Sequence, residues 1–176
     1  MEEKLSPVDR VGTELIHQSI CSADELGNIV KTFTEGSQKH FDAFLLKKGI
    51  VEKDQLLKIL STVYEVPLFD VSGYFFDHEL LLMFPKEVLQ KHLFIPVSEE
   101  GETLSIVMND PANLDVLEEI GNYVSHNIDI QVGLSSDILV AIEEYYNLDV
   151  ISDSVEDEEF QDDEENEEDA DLIDFI

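Results

Sequence analysis

Residues 40–63 read HFDAFLLKKGIVEKDQLLKILSTV, and residues 10–33 read RVGTELIHQSICSADELGNIVKTF. Set over one another at an offset of 30, Val11 aligns with Phe41, Leu15 with Leu45, Ile16 with Leu46, Ile20 with Ile50, Cys21 with Val51, Leu26 with Leu56 and Val30 with Leu60. Between these matches the residues differ: Arg10 faces His40, Gly12 faces Asp42 and Glu14 faces Phe44. An apolar frame that repeats beneath a varied surface is the mark of a duplicated structural unit. The frame predicts, in each copy, a helix of about ten residues, a turn, and a second helix whose apolar residues recur at helical spacing. Gly49, after LLKK, reads as a left-handed C-cap, and Ser22 with Glu25 has capping-box spacing. One such hairpin is too small to bury its own apolar face, whereas two stacked pseudo-symmetrically can. On this reading Leu15 and Leu45, and likewise Leu26 and Leu56, occupy equivalent core positions, while His40 and Asp42 stand on the surface.

Working outward, residues 34–39 (TEGSQK) are a polar connector containing a glycine. After Val63 the pattern changes. Pro67 and LFDV read as a short extended segment, followed by one helix around DHELLLMF and another after Pro85. The run LFIPVSEEGETLSIVMND predicts two strands joined through SEEGE. In NDPANLDVLEEIGNYV, Asp110 reads as an N-cap with Pro111 in the first helical position and Leu114, Leu117 and Ile120 as the inner stripe. NIDIQVGL alternates as a strand, and SSDILVAIEEYY closes as an amphipathic helix capped by Ser135 or Ser136.

The fold class expected is therefore α+β: tandem helical hairpins over 1–63 (copies 10–33 and 40–63), then a small α/β layer over 64–147 with about three to four strands and flanking helices. Residues 148–176 form an acidic tail or linker expected to be disordered. From Asp149 onward there are fifteen Asp or Glu and no Lys, Arg or His. The tail's last residues, LIDFI, read either as the stub of a helix leading to another domain or as a short docking motif.

The whole chain carries a formal net charge of −31, of which −16 remains on residues 1–147 once the tail is removed. Such a surface repels phosphate backbones and anionic headgroups, which excludes nucleic acid and direct membrane insertion as expectations. No window approaches a membrane span and the start MEEKLSPVDR lacks a signal-peptide pattern, so a cytoplasmic protein is expected. The single cysteine, Cys21, aligns with Val51 and reads as a small buried hydrophobe. No P-loop, zinc-ligand spacing or nucleophile elbow appears, and the five histidines form no helical pair, so neither a catalytic nor a metal site is expected.

With the repeat and layout in place, residues 8–147 resemble the N-terminal domain of type II secretion and type IV pilus assembly ATPases, the MshE N-terminal type. The stretches VPLFDV, MFPKEVLQ, FIPV and VMNDPAN, in that order after the tandem, carry the resemblance with it. It implies a tandem of motifs that in that family can bind cyclic di-GMP, with arginine and glycine at each motif's start and glutamine at its end facing the nucleotide. The positions that correspond here are Arg10, Val11, Gly12 and Leu15 in the first copy and His40, Phe41, Asp42 and Leu45 in the second. The terminal glutamines are replaced by Phe33 and Val63, and the glycine after the first helix by Ser19. A carboxylate at Asp42 opposes a diester ligand and the lost arginine removes charge-assisted donors, so no cofactor is expected and cyclic di-GMP is disfavoured.

The function implied is a non-catalytic interaction or regulatory module whose partner is a protein component of a secretion or pilus machine. The alternative is a cyclic di-GMP sensor with an altered site. Because no ATPase motif follows, the chain reads either as the amino-terminal piece of such an ATPase or as a free-standing copy of the module.

Overall fold

The computed structural model describes residues 5–155, with side chains described as far as residue 147. The chain runs α1 (Pro7–His17), α2 (Ala23–Glu35), α3 (Phe41–Lys47), α4 (Lys53–Tyr64), α5 (His78–Leu81), α6 (Lys86–His92), β1 (Phe94–Glu100), β2 (Thr103–Met108), α7 (Leu114–Gly121), β3 (Asn127–Val132) and α8 (Ser135–Val155). The α+β class and the tandem are both present.

The duplication extends to the backbone of the turns. Ser19 and Gly49, at the same register position, both adopt left-handed backbone, with φ of 59° and 66°. The amide of Ile20 donates to the Leu15 carbonyl at 2.9 Å, and that of Ile50 to the Leu45 carbonyl at 3.0 Å, so each first helix closes by the same Schellman bond. Caps diverge. Ser6 with Asp9 and Ser22 with Glu25 form reciprocal capping boxes in the first copy, whereas His40 and Glu52 cap without a side-chain hydrogen bond.

Packing is less symmetric than the sequence. The α4 helix lies inside, against α1 and β3, and contributes Leu56, Leu57, Ile59 and Leu60 to the core; α2 lies outside and contributes no fully buried residue. Leu15, Leu45 and Leu56 are each 0% exposed, but Leu26 is only half-buried. The expected equivalence of Leu26 and Leu56 therefore fails, because only the second hairpin is covered by the rest of the domain. Val132 and Leu134, at the end of β3, complete that hairpin core and join the two halves.

The second half is a three-stranded sheet in the order β1-β2-β3. The β1 and β2 strands pair antiparallel across a turn at Gly101, whose φ is +61°, and β2 pairs parallel with β3 through the α7 crossover. The extended segment at LFDV adds a single parallel bridge, Leu68 to Val132. Its core gathers Phe84, Phe94, Ile95, Leu104, Ile106, Met108, Ile120, Ile138 and Ile142, all no more than 1% exposed.

Three local expectations are corrected here. The α7 helix is capped by Asn113, which accepts from the Asp115 amide at 3.2 Å; Asp110 instead closes a turn upstream, accepting from the Ala112 amide at 3.3 Å. The helix thus begins three residues late, its inner face is Val116 and Ile120 with Leu117 half-buried, and Leu114 is 66% exposed. Ser135 and Ser136, the two residues expected to cap α8, are the first two residues within it, and Ser135 is fully buried. Finally, residues 148–155 continue α8, so the boundary drawn after residue 147 falls within a helix; the remaining tail, 156–176, lies outside the described residues. No helix among the described residues is long and apolar enough to cross a membrane.

Candidate functional site

The start of α1, the end of α2, the start of α3, the end of α6 and the β2–α7 loop converge on a cleft of about 320 Å³. It is lined by Pro7, Val8, Phe33, Lys39, His40, Phe41, Lys91, His92, Leu93, Asn109, Asp110 and Asn113. The tripeptide Gln-Lys-His occurs at 38–40 and again at 90–92, and both copies deliver their lysine and histidine here from opposite halves of the domain. The chain has 10 Lys and Arg against 41 Asp and Glu, so two lysines in one cleft, with two histidine rings beside them, form a local cationic patch that favours an anion. The Nε2 atom of His92 is buried without a hydrogen-bond partner.

Asp110 is the one carboxylate among the lining residues, and it already has a partner in the Tyr64 hydroxyl. Burial, then the charge of Asp110 and the hydrogen bond to it, hold the Tyr64 phenol well above its ordinary value of 10.0; Asp42 adds to the rise and Arg10 opposes it.

Behind the cleft lies Asp42, only 5% exposed. Its Oδ2 accepts from the Ser135 amide at 2.7 Å and from Asn109 Nδ2 at 3.0 Å, and its Oδ1 accepts from Ser135 Oγ at 2.7 Å. Asn109 Nδ2 also donates to the Gly133 carbonyl at 3.2 Å. The Ser135 amide opens α8 and has no partner within its own helix, so a carboxylate suits it electrostatically as well as sterically. At the matching register of the first copy, Gly12 leaves room for Leu26, whose Cδ2 lies 3.0 Å from where a Cβ would stand. The first copy thus uses this position to admit a leucine, and the second uses it to tie α3 to α8. The expectation that Asp42 stands on an exposed, ligand-facing edge is corrected: it turns inward because Ser135 at the start of α8 supplies two donors and Asn109 in the β2–α7 loop supplies a third.

Of the eight residues singled out by the motif comparison, only His40 and Phe41 line the cleft. Arg10 is half-buried and its Nε donates to the Leu5 carbonyl at 3.1 Å. Val11, Gly12, Leu15 and Leu45 are buried in the hairpins. Phe33, at the first missing glutamine, packs edge-on against Phe41 and Phe44 with ring centroids 5.2 and 5.4 Å apart, and Val63, at the second, packs half-buried on the hairpin core. Sequence reasoning missed Lys39, Lys91, His92 and Asn109, although the repeated Gln-Lys-His was a legible signal. Among the described residues, no group of His, Cys, Asp and Glu is arranged to hold a metal ion.

The MshEN domain model matches residues 64–151, half of the chain, and the chain belongs to that family. Type IV pilus assembly ATPase PilB of Myxococcus xanthus (strain DK1622) is 30% identical over 140 residues, covering 78% of this chain; the chain spans only 24% of that relative's length. The fold is also that of MshE, solved with cdg, which superposes with a TM-score of 0.61 at 21% identity over 77% of this chain and 98% of that one. The N-terminal domain of XpsE superposes with a TM-score of 0.58 at 20% identity over 80% of this chain and 96% of that one.

Proposed function

We propose that this chain is a non-catalytic regulatory or interaction module that docks, in the cytoplasm, on a protein component of a type II secretion or type IV pilus machine. The observation that carries this reading is the use of the second motif copy. Asp42 closes on Ser135 and Asn109, and Phe41 packs against Phe33, so the positions that resemble nucleotide contacts are committed to holding the domain together. The apolar frame is kept, and the relatives are a pilus ATPase and N-terminal domains of the same fold. Affinity capture of the full chain from its host, with bound proteins identified by mass spectrometry, tests this. Recovery of a secretion or pilus component is expected; its repeated absence counts against the reading.

A second reading is favoured by one specific feature, the cationic cleft. MshE was solved with cdg, and under this reading a cyclic di-GMP molecule would take its charge-assisted donors from Lys39 and Lys91 in place of motif arginines, with the His40 and His92 rings beside it. The Asp42 charge, already met by three donors, opposes such a ligand less than an exposed carboxylate would. Its signature is saturable binding that Lys39→Ala and Lys91→Ala weaken while the fold is retained.

A further inference from the structure

A groove runs along the outer side of the tandem between α2 and α3, through three adjoining hollows of about 420, 230 and 190 Å³. Ile20, Ile29, Ile50 and Phe44 supply its apolar surface, and Lys47 and Lys48 stand at one end. The duplication marks this groove as uncovered. Ile29 holds the register of Ile59, which is 0% exposed in the core completed by Val132 and Leu134, yet Ile29 is only half-buried. The cover that β3 gives α4 has no counterpart on α2 among the described residues. Lys47 and Lys48 make no ion pair among the described residues, although carboxylates outnumber cations about fourfold in this chain.

We infer that the groove is covered by a segment of this same chain, Asp171–Ile176. Leu172, Ile173, Phe175 and Ile176 match the apolar end at Ile20, Ile29 and Ile50, and the preceding carboxylates match Lys47 and Lys48 at the other. Residues 156–171 contain twelve Asp or Glu and no cation, so the polarity of the segment, acid first and then apolar, follows that of the groove. Reach is sufficient: α8 is described to Val155, and the sixteen residues that follow can extend about 50 Å, against about 40 Å across a folded domain of this size. Tethering supplies a high effective concentration, so modest contacts suffice for occupancy. An acidic, apolar-ended segment on a partner would compete for the same groove.

Methyl NMR on the full chain tests the inference. Phe175→Ser combined with Leu172→Ser is expected to shift the methyl resonances of Ile20, Ile29 and Ile50, and Lys47→Glu with Lys48→Glu to reproduce those shifts. The wild-type positions should hold on about tenfold dilution, as intramolecular contact requires, and move towards the variant's in about 0.5 M salt. An unchanged far-ultraviolet circular dichroism spectrum and melting temperature show that each variant keeps its fold, so misfolding does not cloud the result. Groove methyls that stay in place overturn the inference. Shifts that fade on dilution identify a second copy as the occupant, and shifts confined to methyl groups outside the groove place the segment elsewhere; either outcome also overturns it.

Discussion

Asp42 and Ser135 lie 93 residues apart in the sequence and meet through two hydrogen bonds of 2.7 Å, one from the Ser135 amide and one from its hydroxyl. With Asn109 as a third donor, this buried carboxylate holds the second helical hairpin against the α/β half. Asp42→Gly removes the acceptor, leaves the two buried Ser135 donors unmet and takes one of two acceptors from the half-buried Asn109 amide. Hydrogen bonds to charged groups are worth about 1.5–3 kcal/mol each and do not sum fully, so a loss of about 3–5 kcal/mol is expected in denaturant unfolding. Ser135→Ala, which keeps the amide bond, should cost about 1–2 kcal/mol. A loss below about 1 kcal/mol for Asp42→Gly would restore the surface reading of that residue.

Leucine truncation should expose the asymmetry of the tandem. Leu15→Ala, Leu45→Ala and Leu56→Ala each empty a site that is 0% exposed and should cost about 2–5 kcal/mol. Leu26→Ala, at a half-buried site over Gly12, should cost about 1 kcal/mol, since less area leaves contact and solvent can relax into the gap. Thermal unfolding of the four variants checks the order. Equal losses for Leu26 and Leu56 would mean that α2 is as deeply packed as α4.

Ser19 holds a left-handed conformation that its counterpart, Gly49, adopts without penalty. Ser19 is exposed, so removing its side chain sacrifices little packing. Ser19→Gly should therefore stabilise the protein by about 0.5–1 kcal/mol, the relief of strain partly offset by the freer unfolded chain. Gly49→Ser should destabilise it by a similar amount. Chemical denaturation of the pair decides the matter, and a destabilising Ser19→Gly would show that the two turns are not equivalent.

Much of the tandem was legible because its signals are local. Gly49 as a left-handed cap, Ser22 with Glu25 as a capping box, and the β1–β2 hairpin all depend on residues within a few positions of one another. What escaped was set from far away. Leu26 and Leu56 are the same residue in the same pattern, and only the approach of β3 to the second hairpin makes one buried and the other not. Asp42 reads as a surface change until Ser135 is brought to it. At Asp110 and Asn113 the failure was local, because two capping residues competed and the turn took the first. The cleft was readable only in part: Gln-Lys-His repeats in plain view, but nothing in either copy says that the two will face each other.

The alkaline limb of stability should carry the mark of Tyr64. The folded protein holds its phenolic proton more tightly than the unfolded chain, whose ordinary value is 10.0. The stability tied to that proton is complete below pH 10 and falls as pH rises from there towards the folded value. Tyr64→Phe loses about 1 kcal/mol near neutrality with the bond to Asp110, but its stability should decline less steeply above pH 10. Parallel alkaline limbs for the two proteins would show that the Tyr64 environment is not as described.

Under the proposed function the second motif copy serves the fold, and the domain is an interaction module and not a nucleotide receptor. Calorimetric titration of the full chain with cyclic di-GMP, up to about 1 mM where binding is worth roughly 4 kcal/mol, tests it most directly. No saturable heat is expected for the wild type. Saturable binding in the wild type, lost in Lys39→Ala and Lys91→Ala while both variants remain folded, would contradict it and make the cationic cleft a nucleotide site.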